Sequence, residues 1–105
     1  MSPWFLLVVA GLLEVVWALS LKATMGFTRL GPSLLFGVSL AGSMILLALA
    51  MKHLPVGTAY AVWVGIGAAG AAIAAAFLYQ EPVSPLRAMF LVLLIGSIIG
   101  LKWTA

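Results

Sequence analysis

The sequence of 105 residues contains no cysteine, one histidine and only two acidic residues. Without thiols or an acidic cluster, there is no basis for a disulfide framework or a metal site. Charged residues make up 7% of the chain and hydrophobic residues 66%, whereas about a quarter of a typical soluble domain is charged. This scarcity of charge excludes a soluble domain, and the mean hydropathy of +1.31 places the chain in a lipid membrane.

Basic residues are also few, although they outnumber the acidic ones and give a formal net charge of +3. They are scattered along the chain and form no run or stripe, so nucleic-acid binding is not expected. The sequence also lacks a nucleophile–base arrangement of the kind that hydrolysis requires. We therefore expect the protein not to be an enzyme.

Four apolar runs are each long enough to cross a bilayer, which takes about 20 helical residues. They cover residues 4–21, 32–51, 56–79 and 86–103. The runs are too long for strands and lack period-two alternation, which favours helices over a barrel. Pro32 predicts the start of the second helix, because a proline in the first turn loses no hydrogen bond. The sequence thus predicts an all-α membrane protein with one four-helix transmembrane domain over residues 1–105.

The basic residues divide almost equally between the two sides of the membrane. One side collects Lys52 and Lys102, and the other collects Lys22, Arg29 and Arg87. Because the Lys/Arg bias sets orientation, this near-balance indicates insertion in both orientations. Two oppositely oriented copies would create the inverted symmetry that larger transporters encode as internal repeats. The alternative is that other factors fix a single orientation.

Glu14 is the one charged residue deep inside a predicted span, and the nearest basic residue, Lys22, is eight residues further along. A lone charge at such a depth costs about 2.5–3.5 kcal/mol on insertion scales. Protonation, a water-filled cavity or a bound cation would each relieve that cost. A carboxylate that alternates among these states makes protons and cations compete for one site, which is the basis of antiport. The alternative is a protonated Glu14 that only bonds to a neighbouring helix.

Aromatic residues on two predicted helices are candidates to surround Glu14. Trp17 shares its helical face and offers an indole N–H to the carboxylate. Tyr60 and Trp63 lie three residues apart in the third span and offer a phenol and an indole to a flat cation. Together they predict a cation pocket with hydrogen bonds to Glu14. Ser43 is a further candidate partner, although a serine within a span more often bonds its own helix.

Glycines in the first and third spans are placed for close helix packing. Gly11 lies on the face of Glu14, and Gly65 and Gly67 allow the third helix either to pack closely or to bend during alternating access. The segment Gly65–Gly70 fits the letters G-x-G-x-x-G, but no strand precedes it. Dinucleotide binding is therefore not expected.

A second glycine pattern lies in the fourth span. Gly96 and Gly100 are four residues apart, the spacing by which membrane helices associate through small residues. They are the best candidates for a dimer contact. The alternative is that they pack against another helix of the same chain.

Several segments resemble the small multidrug resistance family. They are Gly11–Ala18, Gly26–Leu30 and Pro55–Trp63, and the resemblance extends over essentially the whole chain. Within the family, Trp17 and the segment Gly100–Lys102 resemble the guanidinium-exporter branch. The branch that exports polyaromatic cations typically has a small residue in place of this tryptophan.

The resemblance implies an antiparallel, dual-topology homodimer in the bacterial inner membrane. It implies export of guanidinium and small substituted guanidinium cations in exchange for protons, driven by the proton gradient without a cofactor. The two Glu14 carboxylates would bind either protons or one cation, which suits the paired hydrogen bonds between carboxylate and guanidinium. The residues that match pocket positions are Trp17, Ser43, Tyr60 and Trp63. Val64 stands where the branch usually has a hydroxyl residue, which leaves the range of substituted guanidines open.

Two other functions remain open at the level of the sequence. One is efflux of hydrophobic or quaternary ammonium cations, which the same family also performs. The other is a non-transporting subunit that works only in a heterodimer with a similar chain. The balanced basic residues argue against this second alternative, because the members of an obligate pair are expected to have opposite charge bias.

Overall fold

The computed structural model describes residues 2–104. Its four helices are α1 (Pro3–Ala23), α2 (Leu30–Ala50), α3 (Val56–Leu78) and α4 (Pro85–Thr104). Each helix is long and apolar enough to cross a membrane. The prediction of an all-helical membrane protein with four spans is confirmed.

The helix ends follow local chemistry. Ser2 caps α1, because its side chain accepts a hydrogen bond from the backbone N–H of Trp4 at 3.3 Å, and Pro3 occupies the first turn. Lys22 lies in the last turn of α1, where a cation faces the negative end of the helix dipole. The predicted start of α2 at Pro32 was wrong, since the helix begins two residues earlier. A proline at the third helical position still has no intrahelical N–H bond to lose.

The first helix is the centre of the bundle. It packs against both α2 and α3, whereas α4 packs against α3. Gly11 lies against Ile66, and Val15 lies against Gly70, so α1 and α3 run in the same direction. Most of the buried apolar side chains form one cluster at one end of these three helices. Its members are Leu7, Ala10, Leu47, Ala50, Ala59, Val62 and Trp63.

Glycines, which have no side chain, allow helices to approach one another closely. A Cβ atom built on Gly11 would lie 2.6 Å from Cγ2 of Ile66, and one built on Gly65 would lie 2.7 Å from Cδ1 of Ile98. Real Cβ atoms do not come so close to another heavy atom. Gly11 and Gly65 therefore lie at points where two helices come close together, and a role of Gly65 in bending α3 stays a prediction.

The fourth helix has no buried residue among those that the structure describes. Several of its apolar side chains, such as Val92 and Leu93, are more than half exposed within the single chain. A helix that is hydrophobic all round is normally buried, either in protein or in lipid. This surface is therefore available to lipid or to a second protein chain.

Candidate functional site

The carboxyl group of Glu14 lies directly on α3 at Gly67. A Cβ atom built on Gly67 would overlap the carboxyl group, so only glycine leaves room for it at this position. One carboxyl oxygen, Oε1, is buried and has no hydrogen-bond partner among residues 2–104. The site therefore holds an acceptor oxygen that the described residues leave unsatisfied.

Ser43 joins three helices at the level of Ala10, which lies one helical turn before Glu14 in α1. Its buried hydroxyl donates to the carbonyl oxygen of Ala10 on α1 at 2.6 Å, and Trp63 on α3 donates its indole N–H to Ser43 Oγ at 2.9 Å. We call these three residues the Ser43 network. Ser43 does not bond its own helix, so the alternative suggested by the sequence was wrong. Its hydroxyl bonds Ala10 and Trp63 and not Glu14, so its place in a cation pocket stays a prediction. Ser39, four residues earlier, does bond its own helix.

Removing the Ser43 hydroxyl should destabilise the protein. In Ser43→Ala the buried indole N–H of Trp63 loses its acceptor, and an unsatisfied buried donor costs about 1–3 kcal/mol. Thermal unfolding in detergent measures this loss. Ser39→Ala is the matched control, because its hydroxyl only adds a bond to a helix carbonyl that already has a backbone partner. Equal effects of the two substitutions would contradict the importance of the network.

Tyr60 and Trp63 form an aromatic pair at the start of α3. Their ring centroids are 5.5 Å apart, with the planes inclined at 47°. Trp63 is 4% exposed, whereas Tyr60 is 54% exposed. The indole N–H of Trp63 is bonded to Ser43 and not to Glu14, and the role of Trp63 in a cation pocket stays a prediction. The ring of Tyr60 therefore lies at the surface of the single chain.

Trp17 is held by ring packing and not by a hydrogen bond. Its ring meets that of Phe36 edge-to-face, with centroids 6.0 Å apart and planes at 83°. Its indole nitrogen is buried without a partner in the part of the chain that the structure describes. The hydrogen bond expected between Trp17 and Glu14 is therefore not formed in the single chain. The indole N–H of Trp17 and the carboxyl oxygen Oε1 of Glu14 therefore both remain unpaired, three residues apart in α1.

The glycines of α4 have open space beside them. A Cβ atom built on Gly96 or Gly100 would meet no other part of the chain within 4 Å. The alternative that they pack against another helix of the same chain was therefore wrong. A dimer contact at these glycines stays a prediction.

An ion pair links the ends of α1 and α3, and the sequence did not predict it. Lys22 Nζ lies 3.8 Å from Glu81 Oε2 and 4.5 Å from the ring centre of Tyr79. The Tyr79 hydroxyl donates to the carbonyl oxygen of Leu19 at 2.9 Å. Both charged groups are partly exposed, so the pair contributes at most about 1 kcal/mol. It ties the two helices together on the side of the membrane where the first and third loops lie.

No group of three His, Cys, Asp or Glu side chains that could hold a metal ion occurs within residues 2–104. The only carboxyl group inside the described spans is that of Glu14. The arrangement presents one anionic group, aromatic walls and an unpaired indole N–H. This chemistry suits a small cation that can donate hydrogen bonds.

Comparison with known proteins agrees with this chemistry. The guanidinium exporter of Escherichia coli strain K12 is 59% identical over 99 residues, which cover 94% of each chain. The guanidinium exporter of Salmonella typhimurium is 56% identical over 102 residues, or 97% of each chain. That of Citrobacter freundii is 56% identical over 99 residues, again 94% of each chain. The resemblance to guanidinium exporters expected from the sequence is confirmed.

The model of the Small Multidrug Resistance protein family matches residues 2–94, which is most of the chain. The match includes the carboxylate of Glu14, the Ser43 network and the aromatic pair of α3. This match, together with the 56–59% identity to guanidinium exporters over nearly the whole chain, shows that the chain belongs to the Small Multidrug Resistance protein family.

Proposed function

We propose that the protein is a proton-coupled antiporter that exports guanidinium and small substituted guanidinium cations across the bacterial inner membrane. The observation that carries this proposal is Glu14, a carboxylate within a membrane span that lies on Gly67 with one buried oxygen unpaired. Relatives of 56–59% identity are named guanidinium exporters, which supports the substrate and points to transport and not to enzymatic activity.

Competition for the carboxylate of Glu14 explains the coupling. Guanidinium is planar and pairs with an ionised carboxylate through two parallel charge-assisted hydrogen bonds. A proton on the same group removes its negative charge and turns one acceptor oxygen into a donor. Because both ligands need the same oxygens, binding of a proton releases the cation and binding of the cation releases the proton.

Aromatic groups give the pocket its shape in this proposal. The faces of Trp17 and Tyr60 attract a cation through their ring electrons. The Ser43 network fixes Trp63, whose ring in turn supports Tyr60. The unpaired indole N–H of Trp17 becomes a donor to the carboxylate of Glu14 as the pocket closes around a ligand. A flat cation that carries several N–H groups fits between these surfaces.

We infer that the working unit is an antiparallel homodimer. The near-balanced basic residues support insertion in both orientations. The unburied surface of α4, with open space at Gly96 and Gly100, supports a contact between copies. Tyr60, exposed in the single chain, then faces the pocket across the interface. Two oppositely oriented protomers place two Glu14 carboxylates near one chamber that opens alternately to each side.

Leucine at both Gly96 and Gly100 should weaken the dimer. The bulky side chains prevent the close backbone approach that the small residues allow. Crosslinking in membranes should show a smaller dimer fraction than for the native chain. Gly37→Leu is a matched control, because it also adds leucine to a helix position with open space around it. An unchanged dimer in the double variant would place the interface elsewhere.

The test of the proposed function is transport by the purified protein alone in liposomes. We expect an electrical current when guanidinium is added, and little or no current with tetraethylammonium. A current with tetraethylammonium alone would replace the proposal with efflux of quaternary ammonium cations. Silence with both cations, followed by activity after a similar chain is added, would make the protein a subunit of a heterodimer. In either case guanidinium export by a homodimer would be wrong.

A further inference from the structure

Three aromatic rings connect the first loop to the candidate cation pocket. Phe27 in the loop packs against Phe36 on α2, with ring centroids 5.4 Å apart and planes at 67°. Phe36 packs against Trp17 on α1 at 6.0 Å and 83°. Both contacts have the edge-to-face geometry that aromatic quadrupoles favour. We call Phe27, Phe36 and Trp17 the aromatic chain.

The position of Phe36 on α2 explains why it reaches Trp17. It lies three residues before Ser39 and seven before Ser43, both of which are buried, so it shares their helical face. Since α2 is antiparallel to α1, Phe36 comes beside α1 about two turns beyond Ala10, at the level of Trp17. The face of α2 that carries Ser43 therefore also carries the ring that touches Trp17.

The loop backbone holds Phe27 in an unusual conformation. Met25, Gly26 and Phe27 have φ angles of 51°, 73° and 67°. These lie in the left-handed region, which residues other than glycine rarely adopt. The buried Thr24 stabilises this turn, because its hydroxyl donates to the carbonyl oxygen of Leu21 at 2.7 Å and accepts from the Phe27 N–H at 3.2 Å. The turn thus directs the Phe27 ring back onto Phe36.

The two pocket tryptophans are held in different ways. Trp63 has a hydrogen bond to Ser43, which fixes the direction of its indole. The indole nitrogen of Trp17 has no partner among residues 2–104. Its ring is oriented by packing, and the aromatic contact that the structure gives it is Phe36. Trp17 also packs against the buried apolar cluster, and Phe36 adds the aromatic contact that fixes the ring on its other neighbour, α2.

We propose that Phe36 is a positioning residue that fixes the Trp17 indole beside Glu14 and so limits the size of the cation that the pocket accepts. This inference rests on the proposed function, since it concerns the same pocket. Phe36 does not touch the substrate and acts only through Trp17. Phe27 supports Phe36 from the loop and contributes less, because its own ring is largely exposed.

Kinetics of Phe36→Leu test this role. The loss of one aromatic contact should raise the guanidinium KM about two- to tenfold, which is the fold-change that corresponds to the energy of an aromatic pair. The kcat should change less than the KM. Phenylguanidinium should be transported better relative to guanidinium, because the freed indole can move aside. Phe36→Tyr keeps the ring and should restore the native KM. Phe5→Leu is the matched control, since Phe5 is an exposed residue on α1 and should leave the KM unchanged.

A double substitution separates a positioning role from general packing. In a Trp17→Phe background, Phe36→Leu should raise the KM much less than it does in the native chain, because the group through which it acts has been changed. Equal effects in the two backgrounds would overturn the proposal. If Phe36→Leu does not fold, Phe27→Leu in the loop tests the same aromatic chain and should shift the KM in the same direction. An unchanged KM there would overturn it too.

Fluorine NMR of protein labelled with 5-fluorotryptophan reports the contact without any transport. The Trp17 resonance is identified by its loss in Trp17→Phe. Phe36→Leu should shift this resonance and leave those of Trp4 and Trp103 in place. Absence of guanidinium current from the native chain would be a failure of the proposed function. Native current together with an unmoved Trp17 resonance would be a failure of this inference alone.

Discussion

Replacing Glu14 with glutamine should abolish guanidinium-evoked current in liposomes. Glutamine keeps the size of the side chain, but it neither binds a proton near neutral pH nor offers two acceptor oxygens. A bidentate pair with guanidinium therefore cannot form, and the site has no charge to alternate between proton and cation. We expect the current to fall below detection. Binding of guanidinium to the native protein should strengthen as pH rises, because protons leave the shared carboxylate, and this dependence should vanish in Glu14→Gln.

The chain offers a matched control for this experiment, because it has only one other acidic residue. Glu81 lies after α3 and pairs with Lys22. Glu81→Gln makes the same chemical change outside the membrane spans and should keep most of the current. Proton-driven guanidinium exchange that persists in Glu14→Gln would overturn the proposed mechanism. Loss of current in Glu81→Gln alone would show that the coupling carboxylate is not the one in α1.

The fold was predictable because lipid imposes simple rules on a sequence. Long apolar runs bounded by Lys, Gly and Pro can only be helices in a bilayer, since every backbone polar group must be paired within its own segment. The structure places each helix within two residues of its predicted bounds. The error at Pro32 arose because proline is tolerated throughout the first turn and so marks a helix start only approximately.

The carboxylate of the site was predictable for the same reason. A charge within an apolar run is costly enough to indicate function, and Glu14 is the only one deep in a span. The contact of its carboxyl group with Gly67 was not predictable, because that contact depends on the relative register of α1 and α3. The partners of Ser43 depend in the same way on helix rotation, so the sequence favoured a bond within its own helix.

Phe36 was missed because an aromatic residue in an apolar span has the same sequence pattern whether it faces lipid or protein. A signal was present in its spacing, since Phe36, Ser39 and Ser43 lie on one helical face. Lys22 was interpreted only as a topology signal. Its pairing with Glu81 shows that a basic residue at a helix end can also link two helices.

Replacing Gly67 with alanine should reduce guanidinium transport about a hundredfold, although the change adds only one methyl group. In the native chain the carboxyl group of Glu14 occupies the space that the new Cβ atom would take. Either α1 and α3 move apart or the Glu14 side chain turns away, and a displacement of about 1 Å from the productive geometry can cost a factor of about 10². Liposome currents and guanidinium binding by calorimetry measure the loss.

Gly57→Ala is the control for this prediction. Gly57 lies in the same helix, and a Cβ atom built there meets no other part of the chain within 4 Å. Both variants add one methyl group to α3, and Ala favours a helix over Gly at either position, so a large loss in Gly67→Ala alone reports the contact with Glu14. Retained unfolding temperature and dimer fraction in Gly67→Ala would show that the lost transport reflects a displaced carboxylate and not a misfolded protein. Native transport in a folded Gly67→Ala protein would show that Glu14 does not need its contact with α3 for transport.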